Sequence, residues 1–384
     1  MRDTSDATIH DDRKLPALTG VRFFAAVSVL LSHFTERGIV SVPSEFIRFL
    51  DGGRTAVSLF FVLSGFILTF NYVGITRHLR KQFYVNRIAR ILPVVLLALA
   101  IAAAGVAVAV LNPGRGYLAS WYALKGFDPV ALVVSFVAQA TMTTGWLPAA
   151  RLNQPWNGPA WSISCEMFFY ALFPFVIAYL RKVSALRLTH LLGAAFFLQC
   201  LFIVAVRAAA PIEQRGFLVS QFPVTHLFEF VAGVAAGLWF LRGGRDWAFQ
   251  GSRRVWMLAG SLIPLVVISW LKPVDPAFLP LTPFFAVLVL ALAVQSKRRS
   301  WLAWGPLVVL GEASFSLYLI HIPLLNLASL LDPTGFAGWV LMAGMVGLSV
   351  VVFKTFESPS RRLVKRLMGT SPDRIQTARV VEPR

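Results

Sequence analysis

Arginine is well suited to hold an anion and histidine to accept a proton, and both occur in one apolar run, PALTGVRFFAAVSVLLSHFTE, at residues 16–36. A charged side chain at the centre of a membrane helix costs about 2.5–3.5 kcal/mol on insertion scales, so Arg22 and His33 are candidate functional residues. Eleven helical steps of about 100° separate them, which returns nearly to the same face about 16 Å further along the axis. Ala26 and Val29 complete that stripe and keep its middle small and apolar. A narrow groove with a cation near one end and an imidazole further in suits a long ligand with an anionic head and a reactive tail, such as an acyl-coenzyme A. The plainer alternative has Arg22 snorkelling to the lipid headgroups and His33 at the opposite interface.

Further polar groups stand against apolar runs. Arg87 and Arg90 are i and i+3 at the start of the third run, on one face. Guanidinium forks match phosphate oxygens in bidentate fashion, and coenzyme A carries phosphates on its ribose and in its pyrophosphate. Arg77, Arg80 and Lys81 read instead as contacts to lipid headgroups. In WSISCEMFFY, Ser162, Glu166 and Tyr170 recur every four residues. A carboxylate within a span requires a partner. Glu166 is therefore open to three readings: pairing with an arginine or histidine, orienting His33, or acting as a base. Ser314, Tyr318 and His321 share a face in GEASFSLYLIHIPLL. Tyr318 and Ser162 are candidate donors to an oxyanion. His226 and Glu229, at i and i+3, read as a local polar pair that supports the fold, and Ser58 and Gly65 as a close-packing face. Cys165 and Cys200 offer neither a disulfide framework nor a metal-ligand spacing.

The elements that must position these groups follow from composition. The 384 residues are 57% hydrophobic and only 14% charged, against about 25% charged in soluble domains. The chain is therefore an all-α polytopic membrane protein. Its net charge of +18 does not indicate nucleic acid, because the basic residues fall between apolar runs. Eleven such runs occur, but placing every basic cluster on one side requires ten crossings. The odd segment, 129–147, is expected to be re-entrant or interfacial within an extracytoplasmic excursion over 112–160. The expected organisation is a cytoplasmic segment 1–14, one transmembrane domain 15–360 and a basic, disordered cytoplasmic tail 361–384, with both termini cytoplasmic. No cleavable leader pattern precedes the first run.

Together these segments resemble the integral-membrane acyltransferase-3 family over roughly residues 15–365. The resemblance rests on five features in order: Arg22 and His33 in the first span, FFVLSGF (Phe60 to Phe66), the Arg87/Arg90 pair, W-S-x-S-x-E (Trp161 to Glu166), and S-L-Y-L-I-H (Ser316 to His321). One departure is His226, which stands about where the family pattern has an arginine. The resemblance implies a stand-alone membrane domain in the inner (plasma) membrane that moves an acetyl or other short acyl group from cytoplasmic acyl-CoA to a hydroxyl, usually on a sugar. It assigns Arg22, Arg87 and Arg90 to the donor site together with His33. His33 would act as general base or transient acyl carrier. Glu166, Tyr318 and His321 are the further catalytic candidates, and Trp161 and Ser162 the acceptor or oxyanion candidates. The acceptor expected first is a polysaccharide or lipid-linked glycan, and second a small-molecule product such as a macrolide. No metal is expected. The competing class is a proton-coupled transporter or flippase, against which the chain shows no two-fold internal symmetry.

Overall fold

A backbone in hydrocarbon must satisfy its own polar groups, and this chain does so with helices: among the described residues there is no strand. The computed structural model describes residues 15–43, 53–244, 252–271, 278–294 and 300–369. The principal helices are α1 (Pro16–Glu36), α2 (Arg54–Tyr72), α3 (Arg80–Leu111), α4 (Pro129–Ala140), α5 (Trp161–Leu180), α6 (Ala185–Ala209), α7 (Leu227–Trp239), α8 (Arg253–Leu271), α9 (Phe278–Ala293), α10 (Gly305–Ala328), α11 (Phe336–Val352) and α12 (Ser358–Leu367). Among the described residues eight helical stretches are long and apolar enough to cross a membrane. Helices α8 and α9 stand where the other two expected crossings fall.

The segment expected at 129–147 is shorter as a helix than its apolar run. Helix α4 has 12 residues, about 18 Å of rise against about 30 Å of hydrocarbon. Asp128 caps its start by accepting from the Ala131 amide at 2.9 Å. The excursion packs on itself: Gln139 donates to the Pro155 and Asn157 carbonyls, and the Trp156 indole donates to Leu132 at 3.0 Å. The tail differs from expectation as well. Residues 358–367 form α12, which packs on α3. The first part of the supposed disordered tail is therefore structured, while 1–14 and 370–384 lie outside the described residues.

Helix α1 is central, packed between α2 and α10, and α2 packs in turn on α7. Without a hydrophobic drive between helices in lipid, close approach of small residues holds them together. Gly65 on α2 and Gly233 on α7 meet face to face. A Cβ on Gly233 would intrude on the Val62 carbonyl oxygen, and one on Gly65 on the Phe230 carbonyl oxygen. The expectation of close packing at Gly65 therefore holds. Ser58, one turn and more before it, donates instead to buried Glu229 at 2.8 Å. Gly233→Ala should force α2 and α7 apart and cost about 1–3 kcal/mol of stability, read as an earlier unfolding transition of the detergent-solubilised protein.

Candidate functional site

Arg22 sits near the start of α1 and His33 at its end, and the two lie at opposite ends of a passage through the bundle. Three cavities follow one another along it. The first, about 50 Å³, is lined by Arg87, Arg90, Arg22, Glu166, Tyr170 and Phe60, among others. The second, about 40 Å³, keeps Arg22, Glu166 and Phe60 and adds Val57, Ser162 and Tyr318. The third, about 360 Å³, keeps Val57 and Tyr318 and adds His33, Glu36, Arg54, Gln154, Trp161 and Gln221. A water occupies about 30 Å³ of liquid, so the first two cavities form a narrow neck and the third a chamber.

At the arginine end, Arg87 is buried and its guanidinium lies 5.5, 5.7 and 5.9 Å from the ring centres of Tyr72, Tyr170 and Phe83. One of its nitrogens donates to the Tyr72 hydroxyl at 3.2 Å, while Nε is buried without a partner. Arg90 lies over the Phe315 ring at 5.8 Å. Arg22 is within electrostatic reach of Arg90, Glu166 and Glu357. Among the described residues none of Arg22, Arg87 and Arg90 forms an ion pair with a carboxylate. Three guanidinium groups gathered without direct counter-ions make a receptor for an anion.

Glu166 belongs to this end. Its carboxylate accepts from the Tyr170 hydroxyl at 3.1 Å and faces Arg22. Glu166 lies within electrostatic reach of Arg22 without a direct ion pair, and it does not line the chamber that holds His33. The reason is axial: Glu166 lies more than one turn along α5 from Trp161, which does line it. The carboxylate that meets His33 is Glu36, one turn along the same helix, with Nδ1 to Oε2 at 3.1 Å. A carboxylate only accepts, so Nδ1 carries a proton, and in the neutral imidazole Nε2 is the nitrogen with the lone pair. The i, i+3 spacing of His33 and Glu36 is legible in the sequence.

His321 stacks against His33, ring centres 5.3 Å apart and planes 29° apart. Its Nδ1 donates to the Tyr318 carbonyl at 2.6 Å, and its buried Nε2 has no partner. Ser162 and Tyr318 hydroxyls are 2.7 Å apart, and both reach the Pro159 carbonyl, at 3.0 and 3.1 Å. One proton closes the hydroxyl pair and the other goes to Pro159, so a role at an oxyanion requires one of them to swing away. Pro323 explains how this wall is tied together. It lacks an N–H, which frees the Leu319 carbonyl four residues back, and Asn157 donates to that carbonyl at 2.9 Å. Trp161 lines the chamber and stacks on His226, ring centres 5.3 Å apart. His226 is held by two acceptors: one proton lies between Nδ1 and Glu229 at 3.0 Å, and Nε2 donates to the Ser220 carbonyl at 3.1 Å. The expected local pair is thus a support beneath Trp161. Arg54, Gln154 and Gln221 carried no signal in the sequence, because separate loops and helix ends bring them to the chamber.

An all-α membrane bundle with an anion receptor at one end and an oriented histidine at the other defines a membrane enzyme of group transfer. The chain belongs to the acyltransferase-3 family: the family model, described as an acyltransferase domain, matches residues 15–354. It is 28% identical to the acyltransferase MdmB of Streptomyces mycarofaciens over 94% of this chain and 95% of that one. It is 26% identical to the putative membrane-bound transacylase BcsY of Komagataeibacter xylinus over 79% of this chain and 74% of that one. With the O-acetyltransferase OatA of Staphylococcus aureus, identity is 22% over 83% of this chain and 51% of the relative. No solved structure matches. The protein is a membrane O-acyltransferase, which sets the transporter reading aside. Glu36→Gln should lower kcat roughly 10–100-fold with little change in KM for the donor, measured by steady-state thiol release.

Proposed function

We propose that the protein moves a short acyl group, acetyl first, from cytoplasmic acyl-CoA to a hydroxyl of a sugar-bearing acceptor at the opposite side of the inner (plasma) membrane. In this reading both termini are cytoplasmic, as the basic clusters at the arginine end favour. Residues 15–360 act as one transmembrane domain. The observation that carries the reading is the passage itself, in which neighbouring cavities share residues from Arg87 and Arg90 to His33. Arg87 and Arg90 hold the donor phosphates, and Arg22 steadies the anion where the passage narrows. The pantetheine arm enters the neck, where Phe60 must turn aside to admit it.

In the chamber, Glu36 fixes the tautomer of His33, and Nε2 takes the proton of the acceptor hydroxyl. The hydroxyl oxygen attacks the thioester carbonyl, the C–O bond forms, the C–S bond breaks, and the proton passes to the departing thiolate. Base catalysis of this kind is worth typically 10²–10⁴-fold. Tyr318 and Ser162 donate to the developing oxyanion once one proton swings from Pro159, and His321 backs the His33 ring. Trp161, Gln154, Gln221, Glu36 and Arg54 give the chamber an aromatic wall and both donors and acceptors. A polyhydroxylated ring suits such a site better than an aliphatic alcohol. The narrowness of the neck favours a second version, in which Nε2 of His33 first takes the acyl group and then yields it to the acceptor.

The test is thiol release by the purified protein with acetyl-CoA and a panel of sugar and small-molecule acceptors. Release should depend on acceptor and fall at least about 10²-fold in His33→Ala. A well-folded His33→Ala protein with undiminished release would overturn both versions. A burst of one thiol per enzyme before any acceptor is added would select the acyl-histidine version.

A further inference from the structure

Helix α12 carries its polarity in an inverted sense. Leu363 and Leu367 point outward, 56% and 77% exposed, in company with Arg362 and Arg366. The inward face carries Arg361, Val364 and Lys365, all half-buried. In a helix resting on a protein, the inward face is ordinarily the apolar one. Here a guanidinium is turned inward, and it is turned toward other cations: α12 packs on α3, and Arg361 lies within electrostatic reach of both Arg90 and Arg87, as well as Tyr72. A carboxylate in its reach, Glu357, accepts from the Ser316 hydroxyl and is shared in reach among Arg361, Arg90 and Arg22. Among the described residues Arg361 forms no ion pair. Like charges gathered in this way repel unless an anion lies between them.

We propose that Arg361, on α12 beside α3, forms a phosphate-monoester subsite next to the arginine cavity, and that its occupant is the ribose 3′-phosphate of the coenzyme A donor. The inference rests on the reading of the Arg87/Arg90 cavity as the donor site. Coenzyme A presents two separate phosphate groups, a pyrophosphate in the chain and a monoester on the ribose. The arginines of α3 and the arginine of α12 come from different, packed helices within electrostatic reach of one another, and so offer two separate positions for anions. The pair on α3, spaced i and i+3, meets the pyrophosphate, while Arg361 meets the monoester. The site thereby selects coenzyme A thioesters over donors that carry the pantetheine arm without the monoester.

The subsite is tested by equilibrium binding of coenzyme A and of 3′-dephospho-coenzyme A to the purified full-length protein. The unaltered protein should bind coenzyme A at least tenfold more tightly. Arg361→Gln should abolish that difference by weakening coenzyme A alone, and Arg362→Gln, on the outward face, should preserve it. Equal binding of the two ligands by the unaltered protein, or equal weakening of both by Arg361→Gln, overturns the proposal. A lipid headgroup could present the same monoester, so the measurement is repeated in nanodiscs of phosphatidylcholine with and without phosphatidic acid. An effect of Arg361→Gln confined to discs with phosphatidic acid assigns the monoester to lipid and overturns the proposal. Arg87→Gln should weaken both ligands. If it weakens neither, the donor-site reading itself fails, whatever Arg361 does.

Discussion

A guanidinium stays charged wherever the fold puts it, and this fold gathers Arg22, Arg87 and Arg90 around one cavity, with Arg361 within their electrostatic reach and, among the described residues, the carboxylates Glu166 and Glu357 facing them. Much of the structure at that end is an answer to the resulting repulsion and desolvation. Tyr72, Phe83 and Tyr170 surround Arg87 with aromatic rings, and Phe315 does the same for Arg90. Such contacts are worth about 0.5–2 kcal/mol each, which offsets part of the cost but leaves the charge uncompensated. The remaining imbalance is what an anionic ligand relieves, so binding and local stability are coupled at this end of the protein.

At the histidine end most polar groups are satisfied by a neighbour, while His321 Nε2 and Gln221 Oε1 are buried without one. Glu36 holds His33, Tyr318 and Ser162 hold each other against Pro159, and Glu229 and Ser220 hold His226 beneath Trp161. Fully paired groups in an apolar surround are fixed in orientation, because every unpaired alternative is costly. Phe60, Val57 and Tyr318 line the neck between the two ends. An acyl thioester is thin and uncharged, whereas the phosphates behind it are neither, so on the proposed reading the neck would admit the reactive tail and retain the head.

The sequence by itself determined the class of the protein and most of the residues along the passage. The apolar runs required helices, because backbone groups in hydrocarbon have no other partner. The cost of burying a charge made Arg22, His33, Arg87, Arg90 and Glu166 stand out against their surroundings. Helical periodicity also placed Arg22 and His33 on one stripe, and it contained the His33–Glu36 contact. What periodicity cannot supply is the relation between helices. It left Glu166 free to face either end of the passage, and only the packing of α5 against α2, α3 and α7 turned it toward Arg22. It could not bring Arg54, Gln154 and Gln221 to one chamber, since they come from loops and helix ends far apart in the chain. Nor could it show that α12 turns Arg361 inward, because a basic amphipathic helix has the same pattern whether its cations face lipid headgroups or a cavity. The pattern within a helix is fixed by local geometry, but the direction in which each face looks is fixed only when the neighbouring helices are in place.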